Sequence, residues 1–335
     1  MISRRQWAKI LLGIGVSLGL LAYLLGSVDL RQVGHHLART HPGYLSLTVA
    51  LTIGGVWIRA RRWGYLFPPN ASPSRLFSAV MIGYMGNNLL PLRAGELIRG
   101  YIASRHGSQG FWTCIATLVV ERVLDALSVV VILAWLVLAI PVPAELKWAA
   151  LLFLSLDLLA MAVLAFLALA PERCQAVVSA LLRRWPRLRG KALAILETFT
   201  VGLQGIRTTG HLLPILGWSA ALWIVYALTT WAALAAAELT LPLTAAWAVV
   251  AFVGLGMSLP SAPGFIGIVQ VASVLALALF DVPRSAAFSF SLVLHATQFI
   301  PSTLLGWLLL LVEQVSLSQI TREAIPGTDG RSVRA

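Results

Sequence analysis

Glu121, Arg122 and Asp125 stand together inside an apolar run covering residues 111–140. Ionisable side chains in such a setting are costly to hold and mark functional sites by default. At helical rise they lie about 15 to 21 Å along the axis from Phe111, too deep for all three to reach water. Glu121 and Asp125, four residues apart, share a helical face and repel each other unless cations meet them. Arg122, three before Asp125, can pair with it, so Arg122→Ala is expected to leave that carboxylate without its nearest cation. A partner for Glu121 must come from another element. Residues 87–99 supply one, because they carry Arg93 and Arg99 around an interruption at Pro91 and Gly95, together with Glu96. The constellation holds three cations and three carboxylates and balances without a ligand. That suits a buried ion network closing the interrupted segment. It equally suits a site where an incoming phosphate competes with carboxylates for Arg, since guanidinium recognises phosphate through two parallel hydrogen bonds. Asn87 and Asn88 can satisfy backbone groups freed by Pro91 or donate to a ligand.

A second, uncharged interruption follows later in the chain. Ser258, Ser261, Gly264 and Gly267 form a flexible break where backbone N–H groups and a half-helix N-terminus can face a cavity. Gln270, His295 and Gln298 are the nearest polar groups in sequence. His295 reads first as a neutral, hydrogen-bonded residue and second as a proton carrier. Asp157 stands in another apolar run without a local cation. Other chemistries lack their motifs: no phosphate-binding G-x-x-x-x-G-K-[ST] and no H-E-x-x-H occurs. Catalysis, a metal and a cofactor are therefore not expected. Cys114 and Cys174 have no metal-ligand spacing and read as packing residues.

The elements that must position these residues follow from composition. Hydrophobic residues make up 59% of the chain and charged ones 11%, a balance that excludes a soluble core. The expected class is an all-α polytopic membrane protein with about six transmembrane helices, at residues 7–26, 44–58, 111–140, 148–170, 212–237 and 285–312. Two further apolar stretches, 76–90 and 244–259, are too short to cross and end at Pro and Gly, which favours re-entrant broken helices. A single membrane domain over residues 1–320 is expected, followed by a disordered cytoplasmic tail at 321–335. Residues 171–210 read as two short amphipathic helices at the headgroup level.

The formal charge of +12 does not indicate nucleic acid, because the cations sit at the ends of apolar spans. With six crossings, twenty of the 25 Lys and Arg residues fall on the side of the termini, Arg59, Arg61 and Arg62 among them, and four on the other. Both termini are therefore expected in the cytoplasm. The same count places the two broken helices on opposite sides, in inverted units spanning about 44–140 and 212–314. Both interruptions read L-P-x-x-x-G, beginning at Leu90 and Leu259. Paired interruptions in inverted halves point to a midplane site between them.

Three motifs in order, N-L-L-P-x-R-x-G-E-x-x-R from Asn88 to Arg99, E-R-x-x-D from Glu121 to Asp125 and P-x-x-P-G-x-x-G from Pro260 to Gly267, give the chain its likeness. It resembles the flippase-like transmembrane domain of lysylphosphatidylglycerol synthase, in stand-alone form without the synthetase domain. The resemblance implies movement of a lipid or lipid-linked head group between leaflets of a bacterial or archaeal cytoplasmic (inner) membrane. The implied partners are membrane lipids with anionic or phosphate-bearing head groups, with a homo-oligomer or a lipid-biosynthesis enzyme as further associations. A membrane-embedded transferase or accessory subunit acting on a lipid-linked sugar, terpenoid or hopanoid is the alternative. The chain departs from the family's usual P-G-G-x-G-x-x-E at Phe265 and Gln270, which removes a carboxylate from the second break.

Overall fold

The computed structural model describes residues 4–67, 76–107, 109–140, 144–202, 209–258 and 262–313. Its regular structure is entirely helical: α1 (Arg4–Leu25), α2 (Leu30–Ala38), α3 (Pro42–Gly64), α4 (Leu76–Leu89), α5 (Ala94–His106), α6 (Phe111–Ala139), α7 (Ala144–Leu169), α8 (Pro171–Leu181), α9 (Pro186–Gly202), α10 (Thr209–Ala236), α11 (Leu243–Gly256), α12 (Ile268–Ala278) and α13 (Arg284–Val312). Among the described residues, α3, α6, α10 and α13 are each long and apolar enough to cross a membrane. A fifth span arises if α1 and α2 count together, although they meet at 90°. The protein is an all-α, multi-pass membrane protein. The tail at 321–335 lies outside the described residues.

Sequence reading places the end of the second crossing at Ile58, but α3 continues to Gly64 and carries Arg59 and Arg62 with it, both buried. The cations did not end the helix because, three residues apart, they share a face that turns into the protein. They are therefore not loop cations of the kind counted for topology. The nine-residue α2 was also not expected. Asp29 caps it, accepting from the backbone N–H groups of Arg31 and Gln32 at 2.9 and 3.3 Å. Residues 171–202 do form the two expected short helices, α8 and α9.

Both interrupted stretches fold back on themselves. After α4 the chain meets Pro91, which lacks an N–H and holds Leu90 extended at φ −107° and ψ 144°. A 3-10 turn, Pro91–Arg93, follows, and Arg93 takes the left-handed conformation before α5 begins. Helices α4 and α5 pack side by side because Gly83, Gly86 and Gly95 let their backbones meet. Helices α11 and α12 form the second hairpin around the turn Pro263–Phe265. There Gly264 and Gly267 adopt φ 69° and 88°, values that a side chain would disfavour.

The interior forms two apolar clusters. One gathers Val56, Trp63, Met81, Ile98 and Leu118 around the first hairpin. The other gathers Val129, Leu133, Val249, Leu277 and Phe290 around the second. Helix α6 contributes to both, and its charged residues lie between the two contributions. The closing helix of each unit packs on the hairpin of the other, α6 on α11 and α13 on α4, while α3 packs along α10. The turns at the two hairpin tips touch.

Candidate functional site

The tips meet beside a cavity of about 680 Å³ enclosed by both hairpins and by α3, α6, α7, α10 and α13. Beneath its charged side lies the ion network. Arg59 spans Glu121 and Asp125 with its fork, Nη1 donating to Glu121 Oε1 and Nη2 to Asp125 Oδ2, both at 2.7 Å. The two carboxylates stand one turn apart on the same face of α6, so both side chains can converge on one guanidinium. Arg62 Nη2 donates to Asp125 Oδ1 at 2.7 Å. Arg99 donates to both oxygens of Glu121, at 2.8 and 2.7 Å, and lies 3.9 Å from the centre of the Trp63 ring.

The candidates thus divide into two groups. Arg99 and Glu121 are buried, pair with each other through two hydrogen bonds and do not line the cavity. Asn87, Asn88, Arg93, Glu96, Arg122 and Asp125 all line it. Asn88 also ties the first hairpin to α13, its amide donating to Thr303 Oγ1 at 2.8 Å and Ser302 Oγ at 3.2 Å. Arg93 lies over the Phe265 ring, 5.4 Å from its centre, so the two breaks touch through a cation and an aromatic face. Its Nη2 is buried and has no hydrogen-bond partner among the described residues.

From the second break, Ser258, Gly264 and His295 line the cavity, whereas Gly267 and Gln270 lie behind it. Ser261, with Leu259 and Pro260, lies outside the described residues, as does the side chain of Asp157. The amide N–H of Gly267 donates to Gln270 Oε1 at 2.7 Å, which turns the Gln270 NH₂ toward His295 Nδ1 at 2.9 Å. Nδ1 must then accept, leaving Nε2 to donate to Gly264 O at 2.8 Å. His295 is a neutral imidazole that braces the turn.

Arg59 and Arg62 were missed by sequence reasoning. The signal was present: an R-x-x-R pair continuing directly from an apolar run, with two unmatched carboxylates elsewhere in the membrane. Arg122 is the outermost of these cations, with a side chain 40% exposed that donates to Glu121 Oε1 at 2.9 Å and lies 3.4 Å from Asp125. Arg122→Ala is therefore expected to fold in near wild-type yield, since Arg59 and Arg62 still hold Asp125. A collapse of detergent-extracted monodisperse protein in that variant would show that the outer pair is structural.

Fold and site together define a polytopic helical membrane protein with a charged cavity at the meeting point of two helical hairpins. The sequence model of the lysylphosphatidylglycerol synthase TM region matches residues 10–306, and the chain belongs to that family. No curated protein and no solved structure matches it.

Proposed function

We propose that the protein moves a lipid head group between bilayer leaflets, holding it in the cavity between the two hairpin tips. The observation that carries this reading is Arg93: a cation at the cavity wall whose buried terminal nitrogen Nη2 has no hydrogen-bond partner among the described residues. The apolar part of the lining, including Val123, Val129, Val130 and Leu156, suits an acyl or prenyl chain beside a polar head. Reciprocal packing of the two units supports an inverted-repeat transporter, in which one unit rocks against the other around a central site. The bias of Lys and Arg supports cytoplasmic termini in a bacterial or archaeal inner membrane. Glu96 favours a second reading, a membrane-embedded transferase, because it lines the cavity, its buried Oε2 has no hydrogen-bond partner among the described residues, and such a carboxylate suits a general base.

The test is purified protein in vesicles carrying head-group-labelled anionic lipid, with exposure of the label followed against protein-free vesicles. Arg93→Gln is expected to fold, because Arg93 bridges no described carboxylate, and to slow exposure by about tenfold, the loss of one charge-assisted contact. Exposure no faster than in protein-free vesicles for the wild-type protein would refute transport. Turnover of a lipid-linked substrate that Glu96→Gln abolishes would establish the transferase instead.

A further inference from the structure

The charges of the site narrow the chemistry of the head group. Among the described residues the cluster holds five guanidiniums, those of Arg59, Arg62, Arg93, Arg99 and Arg122, against three carboxylates, those of Glu96, Glu121 and Asp125. Two formal positive charges are left over. Within the buried group, Arg59, Arg62 and Arg99 outnumber Glu121 and Asp125 by one; around the cavity mouth, Arg93 and Arg122 outnumber Glu96 by one. Unbalanced charge at membrane depth is costly, so a ligand that completes the site brings the missing negative charge with it.

Hydrogen-bonding capacity points the same way. Three cavity-lining residues each keep a buried N–H without a hydrogen-bond partner among the described residues: Nε of Arg59, Nε of Arg122 and Nη2 of Arg93. We propose that the site takes a lipid whose head ends in a phosphate monoester, in preference to phosphodiester lipids. A monoester carries a charge of about −1.5 to −2 at pH 7 and three terminal oxygens, enough to balance the surplus and to accept from all three donors. A diester brings one charge and two free oxygens. A zwitterionic head brings no net charge at all and leaves the surplus intact. When the monoester holds its second proton, its O–H can donate to Glu96 Oε2 or Asn87 Oδ1, acceptors in the same lining that also lack hydrogen-bond partners among the described residues.

This proposal rests on the cavity being a lipid site, and its test separates the two. Full-length protein in detergent is offered dioleoyl phosphatidic acid, dioleoyl phosphatidylglycerol and glycerol 3-phosphate, and bound species are counted by native mass spectrometry. Phosphatidic acid is expected to bind about tenfold more tightly than phosphatidylglycerol, and glycerol 3-phosphate, lacking a chain for the apolar wall, should not displace it at equal concentration. Arg93→Gln removes one surplus charge and should narrow the preference; Glu96→Gln adds one and should widen it. Equal affinity for the two lipids overturns the monoester assignment even if both are moved in vesicles. Displacement by glycerol 3-phosphate at equal concentration overturns the lipid part of the assignment and leaves a soluble phosphate monoester as the ligand. A preference for phosphatidic acid that neither variant shifts also overturns it, since the surplus would then play no part. If phosphatidic acid is preferred and the variants shift that preference as expected, yet no lipid moves in vesicles, the binding proposal stands and transport fails.

Discussion

Replacing Glu121 with alanine is expected to leave little or no folded protein. Its carboxylate is fully buried and accepts from Arg59 at 2.7 Å, from Arg99 at 2.8 and 2.7 Å and from Arg122 at 2.9 Å. Without it, Arg99 loses its described carboxylate partner and Asp125 alone faces Arg59 and Arg62. Breaking one buried pair costs about 3–5 kcal/mol, and this change breaks several while raising the surplus of positive charge. Total stability of a domain is about 5–15 kcal/mol, so the loss is decisive. Folded yield in detergent and the thermal midpoint of any purified fraction are the measurements. Glu121→Met combined with Arg99→Met should recover part of the yield, because it removes a donor and its acceptor together. A Glu121→Ala protein that melts with the wild type would show that the network contributes nothing to folding.

Gly95→Val is expected to be comparably damaging for a steric reason. A Cβ at Gly95 would stand 2.0 Å from Gly83 O and 2.5 Å from the Asn87 backbone nitrogen. Both are backbone atoms of α4, so no side-chain rotation relieves the clash, and the hairpin must open. Overpacking of this kind costs about 1–3 kcal/mol or more where the backbone itself must shift. Opening the hairpin also moves Arg99 away from Glu121 and Arg93 away from the cavity, so lipid movement should fall with stability. Gly54→Ala is the control, since a Cβ there meets nothing within 4 Å. It should match the wild type in both yield and activity. Wild-type melting and transport in Gly95→Val would mean that the close approach of α4 and α5 is not required.

Much of the architecture is legible in the chain because a bilayer leaves few options. Long apolar runs must be helices, and a run that stops at Pro91 or near Gly264 cannot continue as one, so the helices and both breaks follow from local chemistry. The carboxylates Glu121 and Asp125 announce themselves for the same reason, as charges that must be met. Their identity as charges was readable; their partners were not. Arg59 and Arg62 look in sequence like the cations that normally flank a span, because hydropathy cannot tell an arginine facing lipid headgroups from one turned toward another helix. Only the packing of α3 along α10, which lets both side chains reach across to α6, brings them to Asp125, and among the described residues that changes an apparently neutral cluster into one with two positive charges in excess. The meeting of Arg93 with Phe265 is likewise a product of the fold, since 172 residues separate them and nothing local to either fixes the distance. The sequence by itself determined that charge and broken backbone lie within the membrane. Tertiary packing decided which guanidiniums are consumed in holding the helices together and which also line the cavity, because pair energies at membrane depth depend on distances of a few ångströms that no spacing along the chain encodes.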